Sequence, residues 1–240
     1  MRDNIATGSG GGIANVVGDV TLTNTTVSGN LSGGAGGGIY VDSGNVNLTM
    51  SSIVRDNTAG GSGVSAVGSG DSEGSGGGIA VDGGSVLVTS GSSVLSNVAA
   101  DEGGGIWTTN DGTVTVEKLS VVRDNKAGTY GGGIHTHDGN VVVDNSSVTG
   151  NVAVENGGGI VTVLGNVNVL NNAFVDANSA SGGDGPAAGS GGGIATEGGN
   201  VTVSGSSVTN NVAGGKGGGI YTWKYLMEDL RFTSKARLAK

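Results

Sequence analysis

The chain has 240 residues, of which 53 are Gly, one is Pro and none is Cys, with 35% hydrophobic and 3% aromatic side chains. So much Gly without a three-residue period excludes collagen, and the regular Val, Ile and Thr content excludes a flexible Gly-rich linker; without Cys there is no disulfide framework. The formal charge of −9 divides into an acidic body, with 6 Lys+Arg against 18 Asp+Glu over residues 1–223, and a basic end, with 5 against 2 over residues 224–240; an acidic body repels phosphate backbones and argues against a nucleic-acid partner.

The first four residues, MRDN, align with VRDN at 54–57 and 122–125, and Asn4 lies 9 residues before Ile13. The chain is therefore expected to begin in the last strand of a coil whose start is missing. No charged region followed by an apolar one opens it, so no export signal is expected here.

From this point the sequence repeats itself. GGGI recurs with its isoleucines at Ile13, Ile39, Ile79, Ile106, Ile134, Ile160, Ile194 and Ile220, at intervals of 26 to 28 residues apart from two of 40 and 34. A second marker, V-x-x-N, ends at Asn30, Asn57, Asn97, Asn125, Asn151, Asn178 and Asn211. Each Asn precedes the next Ile by 9 residues, except after Asn57 (22) and Asn178 (16), so residues 58–75 and 179–190 are insertions at one place in the unit. Within a unit three segments are predicted as strands: the stretch after GGG, such as IYVD at 39–42; an alternating stretch, such as VTLT at 20–23; and the SSV-x-x-N stretch. Helical spacing is absent over residues 1–223. Three short strands per 26–28-residue coil, repeated about eight times, predict an all-β parallel solenoid whose strands pair with their equivalents one rung along. Asn at a fixed corner suits an amide ladder that satisfies turn backbone groups, and the triple Gly suits a corner where backbones approach closely. Eight copies of GGGI with no following helix read as corners, not as a phosphate loop.

The paired GGGI and V-x-x-N markers resemble the GGA-[ILV] and F-x-x-N repeats of chlamydial polymorphic outer-membrane proteins. Those are autotransporter passenger domains folded as single-stranded right-handed parallel β-helices. The resemblance covers residues 1–223, with Gly standing for the Ala and Val for the Phe throughout. More broadly the chain is similar to the pectate-lyase-like superfamily, which hosts adhesins, polysaccharide lyases and glycoside hydrolases. The resemblance implies right-handed coils and an extracellular or cell-surface location for the full-length protein. The repeat ends at Trp223. The basic, Gly-free segment at 224–240 is read as either a helical cap over the last rung or a foreign or frame-shifted tail. No run of about 20 apolar residues is present to cross a membrane as a helix.

Outward positions after each Ile form two columns. The first runs Ala14, Tyr40, Ala80, Trp107, His135, Val161, Ala195, Tyr221, and the second Val16, Asp42, Asp82, Thr109, His137, Val163, Glu197, Trp223. Both histidines of the chain fall on this strip, in GGGIHTHDG at 131–139. The two insertions, about four rungs or roughly 19 Å apart, are expected to wall a shallow groove over it. Tyr40, Trp107 and Thr109 would then be a platform for sugar rings, whose faces are apolar and whose rims are hydroxyls. Three chemistries compete there. Asp42 and Asp82, adjacent in one column, approach the ~5 Å spacing of carboxylates in retaining glycosidases, and like charge would make one an acid beside a base; the alternative is two solvated carboxylates. His135 and His137 would present two imidazoles on one side for a metal or as a general base, with Asp138 pointing elsewhere; the alternative is a plain surface pair. GDSEG at 70–74 offers Ser72 as a nucleophile with either histidine as base, in a loop otherwise rich in Ser and Gly. The second strand's outward Thr residues are interrupted by Leu87, Glu117, Val142, Asp144 and Leu170, so no flat ice-binding array is expected. No calcium-roll nonapeptide recurs, so no cofactor is required, and calcium or another divalent ion would have no motif to hold it.

Two functions follow. One is a secreted or cell-surface fragment with a structural or adhesive role towards a polysaccharide or host-surface ligand. The other is a hydrolase or polysaccharide lyase acting in the groove.

Overall fold

A computed structural model describes residues 1–60, 73–182 and 189–224. Throughout them the chain winds as a parallel β-solenoid, with short strands joined by tight corners and stacked into four parallel sheets. The GGGI sheet runs from Ile13–Val17 to Ile220–Trp223, the alternating sheet from Val20–Thr23 to Val201–Ser204, and the V-x-x-N sheet from Thr26–Ser28 to Ser207–Thr209. A fourth sheet, beyond the three strands expected per coil, consists of two-residue strands directly after each ladder Asn, such as Leu31–Ser32 and Val98–Ala99. Two residues carry no periodicity, so this sheet was invisible to pattern reasoning. No described helix is long and apolar enough to cross a membrane.

The repeat places like on like. Ile79 pairs with Ile39 on one side and Ile106 on the other, and Val86 with Val46 and Val114. Their side chains fill one narrow core of Ile, Val and Leu that runs the length of the stack. Such a core has no bulky layer to fix the corners, so hydrogen-bonded side chains hold them.

The principal device is the Asn ladder. Asn57, Asn97, Asn125, Asn151 and Asn178 are wholly buried. Asn125 donates Nδ2 to Oδ1 of Asn151 at 3.0 Å and to the carbonyl of Val94 at 3.1 Å, while its Oδ1 accepts from the backbone N and Nδ2 of Asn97. One amide thus meets both rungs and its own turn, and a buried polar group left short of partners would be costly. The residue before each ladder Asn is left-handed, at φ 54° for Asp56 and 57° for Asp124. At the next corner inward-facing Thr108, Thr136 and Thr162 donate their hydroxyls to the carbonyls of Gly112, Gly139 and Gly165 at 2.6–2.7 Å.

The triplet 131–133 shows why the corner is glycine three times over. Gly131 has φ +62°. A Cβ on Gly132 would collide with the carbonyls of Gly158 and Val152, and one on Gly133 would stand 2.7 Å from the carbonyl oxygen of Gly159 and 3.0 Å from the Asn151 amide. The constraint comes from the neighbouring rung, so it recurs in every coil that has one stacked beyond it and is relaxed at Gly218 and Gly219 in the last.

The long intervals leave the stack undisturbed. Thr58–Ala59 and Ser179–Ala180 still pair as ordinary members of the fourth sheet. Each excursion then departs and returns through glycines that touch. A Cβ on Gly60 would lie 2.9 Å from the Cα of Gly74, and one on Gly189 would lie 2.5 Å from the Cα of Gly182.

Candidate functional site

The first outward column is not an open surface. Ala80, His135 and Trp107 are only 0, 2 and 5% exposed, and Val161 and Ala195 are also buried. The cause is the corner that precedes each strand. Its first Gly folds back against the first outward side chain, with Gly103 against Trp107 and Gly131 against His135. Ala35, Ala80 and Trp107 form a second small apolar cluster there, with Tyr40 packed against it. The expected aromatic floor is therefore roofed by the chain's own corners.

Beneath that roof lies a polar group that sequence reasoning missed. Glu102, in the corner before Trp107, accepts a hydrogen bond from Trp107 Nε1 at Oε2, 3.1 Å away. The same oxygen stands 3.2 Å from Nδ1 of His135 on the next rung. That contact lies off the line of a hydrogen bond, and Nδ1 has no partner among the described residues. Tyr130, from the following corner, stacks on the imidazole at 6.4 Å between ring centres. Burial, with a lesser electrostatic push from His137, holds the His135 pKa down to about 3, so its imidazole is neutral across the ordinary range. Burial also raises the carboxyl of Glu102, helped by Asp101 and opposed by the Trp107 hydrogen bond and His137. Tyr130 is pushed up to about 12 by burial and by Glu155, Glu102 and Asp101. The signal available in the sequence was position: Glu102 and Tyr130 directly precede a glycine triplet, the segment that covers the strip.

The second column is more open. The pairing of Val81 with Val41 and of Gly83 with Ser43 puts Asp82 beside Asp42, as the spacing predicts. Asp82 is half-buried and Asp42 exposed. Tyr40 donates its hydroxyl to Asp82 Oδ2 at 2.7 Å; burial, reinforced by this hydrogen bond, raises the phenol pKa. Thr109 is half-buried one rung from Asp82. His137 is exposed, so the two histidines occupy opposite environments instead of forming one imidazole pair. Asp138, expected to point away, turns towards it, with Oδ1 3.1 Å from His137 Nδ1. Glu197, two rungs on, has its carboxyl raised by burial, with His137 opposing. Among the described residues no three His, Asp or Glu side chains converge to hold a metal. Ser72, and most of the insertions expected to wall the strip, lie outside the described residues.

The chain can therefore offer two things on this face: a half-open carboxylate pair with a phenol at Asp42, Asp82 and Tyr40, and a contact between the partly accessible Glu102 carboxyl and the buried His135 imidazole. Comparison with known proteins gives one match: residues 71–227 fit the family model described as the right handed beta helix region. Neither the curated proteins nor the solved structures gave a match.

Proposed function

The chain belongs to the right-handed β-helix family, and on that premise we propose that it is an extracellular or cell-surface scaffold with a structural or adhesive role, of the autotransporter-passenger kind its repeats resemble. The observation that carries this reading is the roofed column: Trp107 and His135, the side chains best suited to stacking or proton transfer, are enclosed by packing and hydrogen bonds. The acidic body and the ladders along its corners suit a stiff, repeated surface more than a pre-shaped cleft. The reading needs no cofactor, and its partner is a polysaccharide or a host-surface ligand. It is tested by passing the protein over immobilised polysaccharides and cell surfaces while assaying chromogenic esters, glycosides and acidic polysaccharides. Retention without turnover is expected.

A second reading, a hydrolase or polysaccharide lyase, is favoured by the Tyr40–Asp82–Asp42 group and by the raised, partly accessible carboxyl of Glu102 near His137. A carboxyl whose pKa is raised by burial is the kind of group that serves as a general acid. Turnover that Asp82→Ala, His137→Ala or Glu102→Gln removes without unfolding the solenoid would replace the scaffold reading with this one.

A further inference from the structure

On a different face, the turns between the alternating and V-x-x-N strands vary in length along the stack. After Glu117 come Lys118 and Leu119 before buried Ser120. One rung on, Asn145 alone separates Asp144 from Ser146, and on the following rung Asn171 and Asn172 precede Ala173. The middle coil is thus one residue short between two longer neighbours. In the adjoining sheet Val121, Ser147 and Phe174 are paired in register, so the middle coil also has the smallest side chain. The two shortfalls coincide and open a notch of about 220 Å³.

Its walls are Leu119 and Val121 on one side and Phe174 on the other. Leu119 and Phe174 are 72% and 51% exposed, large apolar side chains with nothing among the described residues packed over them. The walls stand two rungs apart, about 10 Å, which leaves room for one ring in van der Waals contact with both. Among the described residues no ionisable side chain lines the notch. The exposed amides of Asn145 and Asn172 sit at its rim and the Ser147 hydroxyl lies on its floor; at its base the buried Ser120 hydroxyl has no partner among the described residues. An apolar slot with neutral hydrogen-bonding groups at the edge matches a ring with apolar faces and a hydroxyl rim.

We propose that this notch is a subsite for one neutral pyranose residue of a glycan. The proposal rests on the adhesive reading above, to which it adds a ligand class and a location. The test is ligand-observed NMR with methyl glucosides, galactosides and mannosides and their short oligosaccharides, on the whole chain and on three variants: Phe174→Ala and Leu119→Ala, which strip the walls at exposed positions, and Ser147→Phe, which fills the slot. Circular dichroism checks that each variant folds. Saturation transfer to at least one pyranoside series is expected, weakened tenfold or more by either wall variant and abolished by Ser147→Phe. Pyranoside binding indifferent to all three variants overturns the subsite, as does no pyranoside binding at all. Phe174-dependent binding of phenol or indole alone overturns the ligand class. Retention of the protein on polysaccharide surfaces, unchanged by these variants, would leave the adhesive reading standing without the notch. No retention on any surface would remove the adhesive reading itself.

Discussion

His135 is a neutral imidazole in a place that a surface residue was expected to fill, and its burial has a thermodynamic sign. Its folded-state pKa, about 3, lies below the ordinary value of 6.5, so the folded chain binds fewer protons than the unfolded chain between those limits. The stability this protects is fully present above pH 6.5 and is lost as pH falls towards 3, at about 1.4 kcal/mol per unit. Glu102 works in the opposite direction, because its raised carboxyl favours protonation in the folded state; the wholly buried imidazole is the stronger of the two. The next rung carries Val161 at the same position, so His135→Val is a replacement this column already accommodates. Comparing melting midpoints at pH 7 and pH 5, a window worth about 2 kcal/mol for this imidazole, we expect the parent to lose about 4–8 °C more than His135→Val. Equal losses would mean that the imidazole is solvated in solution.

At the scale of the element, the two Asn ladders separate hydrogen bonding from burial. Asn166 on the exposed corner donates backbone N and Nδ2 to Asn140 Oδ1 and accepts the same pair of bonds from Asn200. Asn125 makes the same exchange with its neighbours, but fully buried and with an added bond to the Val94 carbonyl. Asn125→Ala is expected to cost about 3 kcal/mol or more, because it strands buried backbone groups, and Asn166→Ala under about 1 kcal/mol. Urea midpoints of the two variants measure the difference; similar losses would show that amide stacking stabilises without regard to burial. This contrast also marks what the sequence made legible. The buried ladder and the glycine corners were readable because one residue type is demanded in every coil. The exposed ladder was not, since Asp19, Asn45 and Ser85 share it and water tolerates the variety. Alternation likewise identified which residues leave the core of the GGGI sheet. It carried no information about the corner that closes over Trp107 and His135, because that contact is made by a segment with irregular sequence.

For the whole molecule, each rung touches only its neighbours, so stability is a sum along one dimension. Central rungs keep Val116, Val143 and Ile134 at zero exposure, whereas Val203 and Ile220 in the last described coil are 39% and 37% exposed. Hydrogen exchange is therefore expected to show the slowest amides in the strands around residues 106–169, with protection falling towards residues 201–223. Uniform protection across the stack would mean that the solenoid opens only as one unit. The touching glycines at Gly60 and Gly74, and again at Gly182 and Gly189, carry a further consequence. The loop they bound is already closed before its contents are chosen, so its length and chemistry contribute almost nothing to the pitch of the coil. That corner is a docking port in the chain itself: cargo of any length can be inserted, exchanged or removed there in the course of evolution or design, while the stack beneath continues to count one rung at a time.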